Sequence, residues 1–150
     1  MHSIASELEK TIHHYFPALS SLDEDDAAIK PSPVKWSKKE IIGHLADSAQ
    51  NNLRRFIVAQ YENEPYIVYD QDKWVAISNY QQYDVPALVT LWYLLNKQIV
   101  HILRNTPHEM SQRTCRSQEV HTIEWLAADY IKHMRHHLHQ VLNLEEVEYP

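Results

Sequence analysis

The chain has 150 residues and a formal net charge of −6, with 44% hydrophobic and 23% charged residues. The length suits one domain, 1–150, with a real core, and the acidic balance argues against nucleic-acid binding, which needs clustered Lys and Arg. A single glycine excludes glycine-rich phosphate loops and the tight hairpins of an all-β fold, which leaves an all-α domain.

Periodicity predicts a first helix over about 3–19, with Ile4, Leu8, Ile12 and Tyr15 at helical spacing and Pro17 ending or kinking it. A second helix begins at Ser37. Ser37-x-x-Glu40 is a capping box, and Trp36 with Ile41 forms a candidate hydrophobic staple around it. Ile42, Leu45, Ala49, Leu53 and Phe56 carry this helix to about Tyr61. A third follows Asp84 as N-cap and runs to about Asn105, and a fourth runs from near Thr122 to about Asn143. The linker over 62–83 is too long for a tight helix–helix turn, usually about 2–8 residues. It is long enough to cross the bundle, so the second and third helices can run parallel. Its aromatics (Tyr66, Tyr69, Trp74, Tyr80, Tyr83) read as a satellite hydrophobic cluster, the reading favoured, or as the wall of a substrate pocket.

Cys115 is the only cysteine, so no intrachain disulfide forms and a reducing compartment fits. Its basic neighbours could lower its pKa, but it reads as a bystander. The N-terminus carries Glu7 and Glu9 where a signal peptide needs an apolar run, and the longest apolar stretch, 85–95, is too short to span a bilayer. The expectation is a cytoplasmic protein with no membrane contact.

Four of the eleven histidines crowd into KHMRHHLHQ at 132–140. At about 100° per residue, His133 and His137 share the inward flank with Tyr130, Met134 and Val141, while His136 and His139 turn to solvent. The i, i+4 spacing lets two imidazoles grip one metal ion. It also suits two ordinary buried histidines, so a third ligand is needed. His44, on the edge of the second helix's apolar stripe, is the candidate. Gly43 beside it costs helix stability, which predicts a close approach there by a neighbouring backbone or bulky side chain.

Trp36-Ser37-x-x-Glu40-x-x-Gly43-His44-Leu45-x-Asp47-Ser48, then Tyr69-Asp70-x-Asp72-x-Trp74, then Tyr130-x-x-His133-x-x-x-His137, resembles the DinB-like superfamily and its YfiT-like branch. The match covers nearly the whole chain. The resemblance implies a four-helix bundle in up-down-down-up order with a divalent metal on His44, His133 and His137. Characterised members of that family include thiol S-transferases using bacillithiol or mycothiol and a mycothiol-dependent maleylpyruvate isomerase; others have been labelled metal-dependent hydrolases.

Three neutral imidazoles leave the full charge on the ion and leave coordination positions open. There a water's pKa falls towards about 7, or a thiol becomes a thiolate at lower pH. Zinc or nickel suits the nitrogen set best, with iron or manganese as alternates. Asp129, one turn before His133, and Asp47, three residues after His44, are candidates to accept a ligand's ring N–H. Tyr130 could donate to a substrate oxygen. His101 and Arg104 could reach a pocket or form an amphipathic flank. Asp70-x-Asp72 lacks the glycine and closing Glu of a calcium loop, and there is no His-Glu-x-x-His. The expectation is a metal-dependent enzyme, as a homodimer, acting on a small molecule. Thiol-dependent S-transfer stands first, metal-dependent hydrolysis second, and a non-catalytic metal-binding stress-related bundle third.

Overall fold

The computed structural model describes residues 1–149; residue 150, the end of the expected domain, lies outside them. In chain order the elements are α1 (His2–Ser20), α2 (Glu24–Ala28), α3 (Lys38–Val58), α4 (Gln71–Ser78), α5 (Val85–Asn105), α6 (His108–Ser111), β1 (Thr114–Arg116), β2 (Val120–Thr122) and α7 (Ile123–Leu142). Three of the long helices start where side-chain chemistry sets the boundary. Ser37 accepts from the Glu40 N–H while the Glu40 carboxylate accepts from the Ser37 N–H at 2.7 Å, completing the capping box. Asp84 and Thr122 accept from the N–H groups of Ala87 and Trp125 and start α5 and α7. Each such cap contributes about 1 kcal/mol by satisfying an orphan donor. Pro17 does not end α1, which continues to Ser20. It sits in the last turns on the exposed face, where only one backbone bond is forfeited.

The long helices α1, α3, α5 and α7 form the bundle, and their directions follow from which residues meet. Glu9 pairs with Lys97 and Arg104 while Phe16 packs on Tyr93, so α1 and α5 are antiparallel. Arg135 binds Glu7 and Tyr15 meets His139, so α1 and α7 are parallel. His44 lies against His137 and Phe56 against Tyr130, so α3 and α7 are antiparallel. Lys39 reaches the Gln81 carbonyl just before α5, and Gln60 reaches Thr106 just after it, so α3 and α5 are parallel. The order is therefore up-down-down-up, with the crossover between α3 and α5 making the parallel pair possible. The core is filled by Leu8, Ile12, Leu45, Phe56, Trp92, Ile99, Met134 and Leu138, each essentially fully buried.

The crossover contains a helix, α4, and a single 3₁₀ turn at Tyr80–Gln82. The antiparallel hairpin β1–β2 is an addition to the expected all-helical plan, made of two three-residue strands. The crossover is tied to it. Ile67 N–H donates to the Arg116 carbonyl at 2.9 Å, and Arg116 N–H donates to the Pro65 carbonyl at 3.0 Å. No helix among the described residues is long and apolar enough to cross a membrane.

Candidate metal centre

Gly43 sits in α3 directly under the ring of Tyr80. A Cβ built there would stand 2.1 Å from Tyr80 Cδ2, so only glycine admits the ring at this distance. The close approach at Gly43 is thus made by a bulky side chain from the crossover. Its hydroxyl donates to Asp47 Oδ1 at 2.5 Å, one turn along the same helix. This contact fixes the crossover on the helix that carries His44.

His44 is fully buried, with the Trp36 ring packed against it at 5.0 Å and tilted by 39°. Its Nε2 lies 3.2 Å from His133 Nε2. The His44, His133 and His137 ring centroids are 4.6–5.1 Å apart in every pairing. One nitrogen from each lies within 4.8 Å of the others. A tetrahedral zinc site with Zn–N bonds of about 2.0–2.1 Å puts its nitrogens about 3.3 Å apart. The His44–His133 separation already matches that span, and a donor set of three imidazoles fits a divalent ion of zinc or nickel character. Burial pushes His44 down to about 3, helped by the charge of His137. Burial likewise pushes His133 down to about 2, with His137, His44 and His136 adding to the effect. His137 is lowered by burial, opposed by its bond to Gln140. All three are neutral at pH 7, the form in which an imidazole nitrogen can coordinate.

A cavity of about 880 Å³ opens onto His133, bordered among others by Ser48, Asn52, Arg55, Tyr69, Asp129 and Tyr149. Of the crossover aromatics Tyr69 lines this cavity and Tyr80 is buried, while Tyr66, Trp74 and Tyr83 are exposed. The favoured satellite-cluster reading is therefore corrected: Tyr80 joins the main core, and Tyr69 takes the pocket-wall role. Arg55 spends its guanidinium on the Ile67 carbonyl and on Asn52 Oδ1, bracing the wall. His121 and Trp125 stack at 3.6 Å on the rim.

Both acidic residues near the histidines have tyrosine partners. Asp47 accepts from Tyr80, its other oxygen is buried without a partner among the described residues, and burial raises its carboxyl to about 6. Asp129 Oδ2 accepts from the Tyr149 hydroxyl at 2.8 Å. The Tyr130 hydroxyl donates to Asn96 Oδ1 at 2.7 Å inside the core, though the residue borders the cavity. His137 Nδ1 is instead met by Gln140, whose Oε1 lies 2.8 Å away. The i, i+3 spacing of His137 and Gln140 was the available signal for this contact.

His136 and His139 do not turn to solvent. Both are half-buried, because the chain after α7 folds back and presents the carbonyls of Val147 and Glu145 to their Nδ1 atoms. The same turn lays the Tyr149 ring 5.4 Å from that of His133. His101 is exposed and bonded to Asn105, and Arg104 pairs with Glu9 on the α1 side, so neither reaches the cavity. Cys115 is buried, its thiol donating to the Pro65 carbonyl at 3.3 Å, and burial raises its pKa.

A metal-dependent hydrolase candidate of Halalkalibacterium halodurans is 28% identical over 123 residues, covering 79% of this chain and 70% of that protein. YfiT from Bacillus subtilis, solved as a four-helix bundle of unusual topology, superposes with a TM-score of 0.83 at 22% identity, over 94% of this chain and 83% of the other. A mutant of the mycothiol-dependent maleylpyruvate isomerase superposes with a TM-score of 0.73 at 13% identity, over 97% of this chain and 60% of the other. The last two likenesses speak for the fold alone. The profile of the DinB superfamily matches residues 7–141, and the chain belongs to that superfamily.

Proposed function

We propose that the protein is a divalent-metal-dependent enzyme in which His44, His133 and His137 hold zinc or nickel, and that it transfers a low-molecular-weight thiol to a small electrophile. The observation that carries this reading is the cavity of about 880 Å³ reaching one of the three histidines. That volume lies at the upper end of small-molecule sites, which run about 300–1,000 Å³, and has room for a thiol beside an electrophile. When bound, the ion would supply positive charge that favours the thiolate over the thiol.

The chain's own groups suit this chemistry better than water activation. A hydrolase of this kind profits from a carboxylate free to take a proton. Asp47 lies under Tyr80 and does not border the cavity, and Asp129, which does, has one of its two oxygens held by Tyr149. Thiol transfer must also shed the S–H proton. A free thiol already ionises at about pH 8.5, and lower beside a cation, so solvent can take that proton and the chain is asked chiefly to bind and orient. Ser48, Asn52 and Tyr69 offer polar contacts along the wall, and the His121–Trp125 stack offers an apolar platform at the rim. Hydrolysis remains the second reading. It is favoured by the naming of the Halalkalibacterium halodurans relative and by Asp129 standing on the cavity wall.

The test is turnover by the zinc-loaded protein of a chromogenic electrophile with and without bacillithiol or mycothiol, beside a chromogenic ester, each with and without chelator. Thiol-dependent, chelator-sensitive consumption of the electrophile is expected. Chelator-sensitive ester cleavage that ignores thiol would move the assignment to hydrolysis, and metal binding with neither activity would leave a binding protein.

A further inference from the structure

The candidate ligands differ in what holds the nitrogen that would not coordinate. His44 Nδ1 is buried without a hydrogen-bond partner among the described residues. His137 instead starts a chain of three hydrogen bonds that leads away from the site: to Gln140, on to His136, and to the backbone carbonyl of Val147.

The polarity of that chain is fixed from its far end. A backbone carbonyl can only accept, so the 2.7 Å contact with Val147 places a proton on His136 Nδ1. The Gln140 Nε2 amide, which can only donate, stands 2.8 Å from His136 Nε2, so the ring nitrogen accepts. With the amide turned this way, Gln140 offers Oε1 to His137 Nδ1 at 2.8 Å, so that nitrogen must donate. The lone pair of His137 is left on Nε2.

Resting on the metal reading above, we propose that Gln140 is a positioning residue for the metal centre. Through His136 and the Val147 carbonyl it fixes the tautomer and ring orientation of His137. Outer partners of this kind typically shift metal affinity about 10–100-fold when removed. A reversed amide would either set two N–H groups against each other at His137 Nδ1 or drive the proton onto Nε2, towards the ion. The chain excludes that arrangement without a carboxylate, and it ties the site to the segment that folds back after α7.

Side-chain nitrogen NMR on the metal-free full-length protein reads the tautomers directly. His136 and His137 should both carry the proton on Nδ1 and be bare at Nε2. Zinc affinity, measured by competition with a chromophoric chelator, should fall about 10–100-fold in Gln140→Ala. It should return in Gln140→Glu, whose carboxylate can still accept the His137 N–H. Gln140 is exposed, so the metal-free melting temperature should move by no more than about 2 °C in either variant, which separates positioning from folding. A proton on His137 Nε2 in the wild type, or wild-type zinc affinity in Gln140→Ala, overturns the inference. A wild type that binds no zinc would sink the metal reading, and the NMR measurement would still decide the tautomer.

Discussion

Gly43→Ala sets two opposed effects against each other at one atom. On an open helix surface this change stabilises by about 1 kcal/mol, because alanine loses less backbone entropy than glycine. Here the new methyl would stand 2.1, 2.3 and 2.5 Å from three ring atoms of Tyr80. The ring is 4% exposed, and its hydroxyl is committed to Asp47. It cannot swing aside without breaking that bond. Overpacking of this kind costs about 1–3 kcal/mol, and losing a hydrogen bond to a charged group about 1.5–3 kcal/mol more. The clash wins, with a net destabilisation of about 2–5 kcal/mol, or roughly 5–15 °C in melting temperature for a chain of this size. Urea denaturation of wild type, Gly43→Ala, Tyr80→Ala and the double variant separates the terms. In the Tyr80→Ala background the same glycine change should become neutral or stabilising by up to about 1 kcal/mol. A Gly43→Ala protein as stable as wild type would refute the reasoning, since it would mean that the ring does not hold its place.

Two further outcomes follow from the buried groups. The folded pKa values of His44 and His133 lie below the unfolded value of about 6.5, so their contribution is fully present above that pH and is lost as the pH falls towards about 3. Asp47, raised to about 6, works in the opposite sense. From pH 7 to 5.5 the two imidazoles cost about 2.5 kcal/mol and Asp47 returns about 1. The metal-free melting temperature should therefore drop by about 3–6 °C, and a flat or rising value would contradict the buried triad. Tyr130→Phe should destabilise by about 1–3 kcal/mol by stranding buried Asn96 Oδ1, which thermal unfolding reads; an unchanged midpoint would place the hydroxyl elsewhere.

Much of the architecture was legible because local chemistry and tertiary packing agree. Ser37 with Glu40 and Asp84 each announce a helix start and make the expected cap, and the fourth helix begins at Thr122 as expected, with a cap the sequence reading did not assign. The inward placement of His133 and His137 follows from helical period alone, and glycine in a helix interior announced a close contact. What stayed hidden depends on chain segments far apart in sequence. Two three-residue strands carry no usable periodicity, so the hairpin at Thr114–Thr122 had no signature. Asp47 and Asp129 are at the right spacing to brace a histidine, yet distant tyrosines reach them first. His136 and His139 fall on the outward side of α7 by period, and the returning chain end covers both, with Tyr15 of α1 reaching His139 as well.

The central claim is that three imidazoles from α3 and α7 form one metal site. Metal analysis of purified wild type beside His44→Ala and His137→Ala measures it most directly. The account predicts one divalent ion per chain in wild type and its loss from both variants. Stoichiometric metal retained in both would contradict it.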